Sequence, residues 1–185
     1  MKLKNILFVF SLVAVLFVTD LATAQKKMSK LDKSPLDMAY FPRRGANKQM
    51  RVIYSRPALK GRAYFAAGSK LAPFGKMWRT GANETTEIMF ARDVTFGGKQ
   101  IKAGTYSLYT IPGKDKWTVI LNSKLGTWGA YQHDASQDVA KVEGSVKTNS
   151  NNLENFSIRF ASKDGKASAL VMGWGTTRVR VPISY

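Results

Sequence analysis

Arg56, Arg62, Lys76 and Arg79 stand close in sequence to Trp78 and Asn83, a set of side chains suited to holding an anion. A guanidinium grips a carboxylate or phosphate at two points, and an indole offers a face on which a sugar can stack. Glu84 completes the set and opens a second reading. In it, Arg79 and Glu84 form a buried ion pair, Asn83 hydrogen-bonds backbone and Trp78 plugs the core, so the group staples a loop and meets no ligand. Both readings centre on Pro73 to Glu84, which has two glycines, a proline and no apolar period of a helix or strand. Loops that concentrate such residues are common places for sites, because a rigid scaffold can aim them.

No other motif supplies a complete catalytic apparatus. His133 is the sole histidine, and without a Gly-x-Ser-x-Gly elbow a Ser-His-Asp relay has no local signature, so it reads as a surface-loop residue. One histidine and no cysteine leave no zinc set, and Asp134 and Asp138 are too sparse for a calcium loop. No phosphate-binding glycine loop or dinucleotide fingerprint appears, so neither a metal nor a cofactor is expected. The rival from another class is a glycan hydrolase using Glu84 or Asp134 as acid or base. Glu84 with Glu87 is a poor pair, since opposite parity on one strand sends them to opposite faces.

The ends and the charge bound the setting. Lys2 and Lys4 precede an apolar run from Ile6 to Val18, and Ala22-Thr23-Ala24 is a small-x-small cleavage signal. Residues 1–24 therefore read as a signal peptide, too short in its apolar part to span a membrane comfortably. The mature chain would start at Gln25 and reach the periplasm or the medium, with no transmembrane segment left. The absence of cysteine means that no disulfide helps the fold. The formal net charge is +17, and residues 26–62 carry eleven Lys and Arg against Asp32 and Asp37. That balance suits either a solvated basic surface or docking on anionic glycan, lipopolysaccharide or a small anionic ligand. The compartment argues against nucleic acid.

The elements that must position these residues are strands. Residues 25–49 read as an extended, basic, poorly ordered arm with Pro35, Pro42 and Gly45. From Met50 to Tyr185 the chain breaks into short β-like runs. Met50–Ser55, Thr85–Ala91, Thr105–Ile111 and Lys116–Asn122 are four of them; in the last, Trp117, Val119 and Leu121 share one face. Val94–Phe96 and Gln100–Ile101 read as a hairpin around Gly97-Gly98, and Phe156–Phe160 meets Ala169–Met172 through Asp164-Gly165. Gly173 and Gly175 flank Trp174 where a bulge would shift the phase before Thr176–Ile183. Eight to ten strands and no helical period predict a single antiparallel β-sandwich, jelly-roll-like, over residues 50–185.

These residues resemble a known family. Tyr54-Ser55-Arg56-Pro57, Lys60-Gly61-Arg62, the run from Pro73 to Glu84, Ala103 to Leu108, Ile111-Pro112-Gly113, Trp117-Thr118-Val119 and Trp128-Gly129 are similar to the family known as domain of unknown function 2911. The resemblance spans residues 34–183, and Trp78 to Glu84 is its most specific part. It implies an exported protein of Gram-negative bacteria, mainly Bacteroidota, and no established activity. The chain departs after Arg62, where Ala66 to Lys70 lengthens the connection to the loop. The expectation is thus a binding or envelope-structural module whose site is Pro73 to Glu84.

Overall fold

Alternation decides the strands. In β2 (Met50–Ser55), Met50, Val52 and Tyr54 are buried, and in β7 (Lys116–Asn122) Trp117, Val119 and Leu121 point into the same core. The structure, a computed structural model, describes residues 29–185. The signal peptide, the cleavage site and the first part of the basic arm lie outside the described residues. The other strands are β1 (Leu36–Phe41), β3 (Glu87–Phe90), β4 (Val94–Phe96), β5 (Lys99–Ile101), β6 (Gly104–Ile111), β8 (Asp138–Lys163) and β9 (Lys166–Ser184). All neighbours are antiparallel, in the order β1-β2-β3-β6-β7-β8-β9-β4-β5. The protein is all-β, and Lys33–Tyr185 forms one compact unit. Among the described residues no helix is long and apolar enough to cross a membrane.

Two long strands turn this sheet into a sandwich. Asp138 to Ser145 of β8 pair with β7, and from Ser145 to Lys163 the strand pairs with β9, the register shifting between Thr148 and Ser157. The stretch following β2 then docks on β8, Leu59 N–H donating to Glu154 O and Phe156 N–H to Pro57 O, both at 2.9 Å. The faces so brought together enclose Phe65, Trp78, Trp117, Phe156 and Trp174. The tight turns fall where glycine allows them. Gly97 and Gly98 both have positive φ, and a Cβ on Gly97 would lie 2.5 Å from Val142. Gly175, also left-handed, lies against the Tyr64 hydroxyl where the β8–β9 register shifts.

Part of the stretch read as a poorly ordered arm is in the sheet. Leu36 to Phe41 form an edge strand paired with β2 in the register Leu36↔Ser55 to Phe41↔Met50. Its more buried side carries Asp37, Ala39 and Phe41, while Leu36 and Met38 are exposed, so no apolar alternation marks it. Asp37 is tolerated there because Arg56 Nη1 donates to it at 3.0 Å and Tyr54 Oη at 3.2 Å. Burial first, with the Asp37 charge adding, pushes the Tyr54 phenol up to about 12.

Candidate functional site

The loop Pro73 to Glu84 is tied to β6. Trp78 N–H donates to Thr110 O at 2.7 Å, Thr110 N–H returns to Trp78 O at 2.9 Å, and Gly75 N–H reaches Pro112 O at 2.8 Å. These bonds hold Trp78 over the core, where it is 5% exposed. Its ring stacks on Trp174 at 5.9 Å and 8°, and meets Phe156 edge-on at 5.0 Å. Its Nε1 donates to Gly81 O at 3.0 Å. Trp78 is therefore the plug of the second reading, not a ligand platform.

The companion ion pair does not form. Thr80 and Asn83 both adopt φ 57° in a bend over residues 80–83, and Glu84 emerges exposed, bridged through backbone to Trp128. No ion pair among the described residues includes Arg79 or Glu84. A left-handed threonine costs about 1–3 kcal/mol. Thr80 is buried and held by Thr110 Oγ1 at 3.1 Å and by the Thr86 hydroxyl, which donates to Thr80 O at 2.8 Å. Arg79 is half-buried, and its Nε is buried without a hydrogen-bond partner.

What faces Arg79 is the segment Thr127 to Tyr131. Gly129 N–H donates to Asn83 O at 3.0 Å, and Thr85 N–H to Thr127 O at 2.9 Å. A Cβ on Gly129 would lie 3.2 Å from Arg79 Nη1 and 2.8 Å from the Tyr131 ring, so the guanidinium and the phenol both rest against this glycine. Trp128 and Tyr131 are 55% and 88% exposed. Trp117 and Trp174, by contrast, are core residues, so Trp128 is the one indole at the surface.

The remaining cations do not join Arg79. Arg56 uses its whole fork as a staple, donating to Phe156 O at 3.0 Å, Asp37 at 3.0 Å and Ser157 Oγ at 2.7 Å. Arg62 closes its own turn onto Leu59 O and Ala58 O. Lys76 is exposed on the loop. Of the seven residues singled out, only Arg79, Asn83 and Glu84 are brought to one place, beside 127–131.

A polar network sets that segment's height above the sheet. Asp138, at the start of β8, accepts from His133 Nε2 at 2.7 Å and Asn122 Nδ2 at 2.8 Å, with Lys141 Nζ at 3.0 Å. The His133 ring packs edge-on to Tyr109 at 5.0 Å, and Tyr109 Oη bonds Thr127 Oγ1 at 2.9 Å. Thr127 meets Thr85, whose hydroxyl donates to Gly129 O at 2.6 Å. Burial acts to raise the Asp138 carboxyl, but hydrogen bonds from Asn122 and His133 and the contact with the Lys141 ammonium outweigh it and hold it below the usual value. His133 is thus tucked under the loop rather than loose on it. Its partnership with Asp138 had one sequence signal, the five-residue spacing across a short turn, which many unrelated pairs share.

Asp134 caps the 3-10 turn Ala135–Gln137. The Ser136 hydroxyl, the Gln137 amide and the Ser136 N–H donate to it and hold its carboxyl down at about 2. Such a group is a poor proton donor at neutral pH. Among the described residues no three metal-ligating side chains gather in one place.

The model of the family described as a protein of unknown function (DUF2911) matches residues 34–183, and the chain belongs to that family. No curated protein and no solved structure matches the chain.

Proposed function

We propose that this member of the DUF2911 family is a binding module that takes a carboxylated sugar on the surface made by Arg79, Trp128 and Tyr131. The observation that carries the reading is Arg79, a half-buried guanidinium in no ion pair among the described residues, which rests with the exposed Tyr131 ring against Gly129, the residue after the exposed Trp128. A charge drawn partly out of water without a partner is costly, and a ligand carboxylate would relieve it with two-point geometry. Trp128 and Tyr131 offer apolar faces with polar tips, which suit a sugar ring. Hydrolysis by Asp134 has less support, because its oxygens are engaged and its carboxyl is held at about 2.

The test is titration of the mature protein with a galacturonic acid trisaccharide and with a neutral galactose trisaccharide. The acidic sugar should bind and shield Trp128 from acrylamide quenching, since the other three indoles are at most 5% exposed. Arg79→Gln should weaken binding by about tenfold or more and leave the melting temperature equal or higher, because an unpaired charge is removed. Equal binding of the neutral sugar, or undiminished binding by Arg79→Gln, would sink the reading.

Export belongs to the same proposal, motivated by residues 1–24. Intact-mass measurement of the protein from its native host should give Gln25 as the first residue. A chain that retains Met1 in a membrane fraction would exclude it.

A further inference from the structure

We infer that the outer face of β8 and β9 holds a second anion site, a cleft that takes the phosphate group of a phosphate ester. The cleft has a volume of about 270 Å³, and Lys147, Arg159, Arg178 and Arg180 line it together with Ser145 and Ser157, whose hydroxyls donate to Arg180 O and Asn155 O. No carboxylate lines it. None of the four cations is in an ion pair among the described residues.

The register makes this arrangement costly without a ligand. Lys147 stands directly opposite Arg178, and Ser145 opposite Arg180. Like charges paired across strands repel, and no ion pair among the described residues offsets them. The cations are also partly fixed in place. Arg178 Nη1 donates to Gly175 O and Thr177 O, both at 2.8 Å, and Nη2 to Asn151 O at 2.5 Å. Arg180 Nη2 donates to Ser168 Oγ at 3.2 Å. Gly173 keeps the floor deep, since a Cβ there would come within 3.0 Å of both Leu153 and Arg178.

Four cations around one small cleft match a phosphate ester, which carries close to two charges and three strong acceptor oxygens. A single carboxylate would leave most of that charge unanswered. The group can be borne by a soluble ester or by a lipid, and both present the same chemistry to the cleft.

The experiment is a thermal-shift and calorimetric titration of the mature protein with inorganic pyrophosphate and glycerol phosphate, against sodium chloride at matched ionic strength. The phosphates should raise the melting temperature in a saturable way. The double variant Lys147→Gln, Arg178→Gln should bind about tenfold or more weakly while keeping its affinity for the galacturonic acid trisaccharide. In ligand-free protein Lys147→Gln alone should melt at or above the wild type, because the cross-strand repulsion is gone. Co-sedimentation with phosphatidylcholine vesicles containing phosphatidic acid, reversed by pyrophosphate, would assign the ester to a lipid; saturable pyrophosphate binding without co-sedimentation would assign it to a soluble compound. A chloride effect equal to that of phosphate, or undiminished binding by the double variant, would overturn the inference.

Discussion

Replacing Trp78 with alanine should destabilise the domain by about 3–5 kcal/mol, the range for emptying a buried aromatic site. The side chain is 5% exposed and touches Trp174, Phe156, Phe65 and Trp117 at ring separations from 5.0 to 6.0 Å. Such pairs add about 0.5–1.5 kcal/mol each beyond buried area. Four large rings around one vacancy cannot all collapse into it, which places the cost high in the range. The change also removes the donor to Gly81 O. For a domain of this size each kcal/mol moves the melting temperature by about 2–4 °C. Trp78→Phe should retain part of the edge contacts and cost less than half as much. Urea unfolding gives both numbers. A loss under about 1 kcal/mol in Trp78→Ala, with a native spectrum, would show that the indole is not a plug. Arg79 follows Trp78 directly in the chain, so the alanine variant should also bind the acidic trisaccharide more weakly than the wild type at temperatures where it remains folded.

The parts of this fold that were legible in the sequence are those where one face is apolar and the turn chemistry is explicit. β2 and β7 have the ends that alternation gives them, and the β4–β5 hairpin turns on Gly97-Gly98. β1 was not legible, because its inward residues include Asp37 and its outward ones Leu36 and Met38. The first half of β8 buries only small or β-branched residues, Ala140, Val142 and Gly144, between Lys141 and Glu143, a pattern with little apolar weight.

At the candidate site the plug role of Trp78 was legible as one of two readings. The Arg79–Glu84 pairing was not correct, because proximity in sequence says nothing about two left-handed residues between them. The exposure of Trp128 and Tyr131 depends on how residues 123–137 cross the sheet. The opposition of Lys147 and Arg178 depends on register beyond a long bulge. Both are long-range facts that no local pattern carries.

Asp138→Ala should cost about 2–3 kcal/mol, the scale of hydrogen bonds to a charged group. The Asp138 carboxylate is 7% exposed and serves His133, Asn122 and Lys141 together. Breaking a buried ion pair can reach about 3–5 kcal/mol when a charge is left stranded. Here the partners left behind are an imidazole, which has a neutral form, and Lys141, which is 55% exposed to water, while Asn122 Nδ2 keeps its bond to Asp134 O at 2.8 Å. The smaller figure therefore applies. The pH dependence has a definite sign. The folded-state carboxyl is held below its ordinary value of 3.8, so its stabilisation is complete above that value. It is lost as the pH falls through 3.8 toward the lower folded-state value. Asp138→Asn keeps the shape and removes the charge. Its deficit in urea midpoint against the wild type should be full at neutral pH and shrink below the ordinary carboxyl value. The loosening should also be local first, since Asp138 acts through His133 and Tyr109 on Thr127 and Gly129. Hydrogen exchange at Thr127 to Tyr131 should rise in Asp138→Asn before exchange in β6 or β7 changes. A deficit that stays constant down to acid pH, or exchange that rises uniformly across the sheet, would show that the Asp138 charge does not hold this segment.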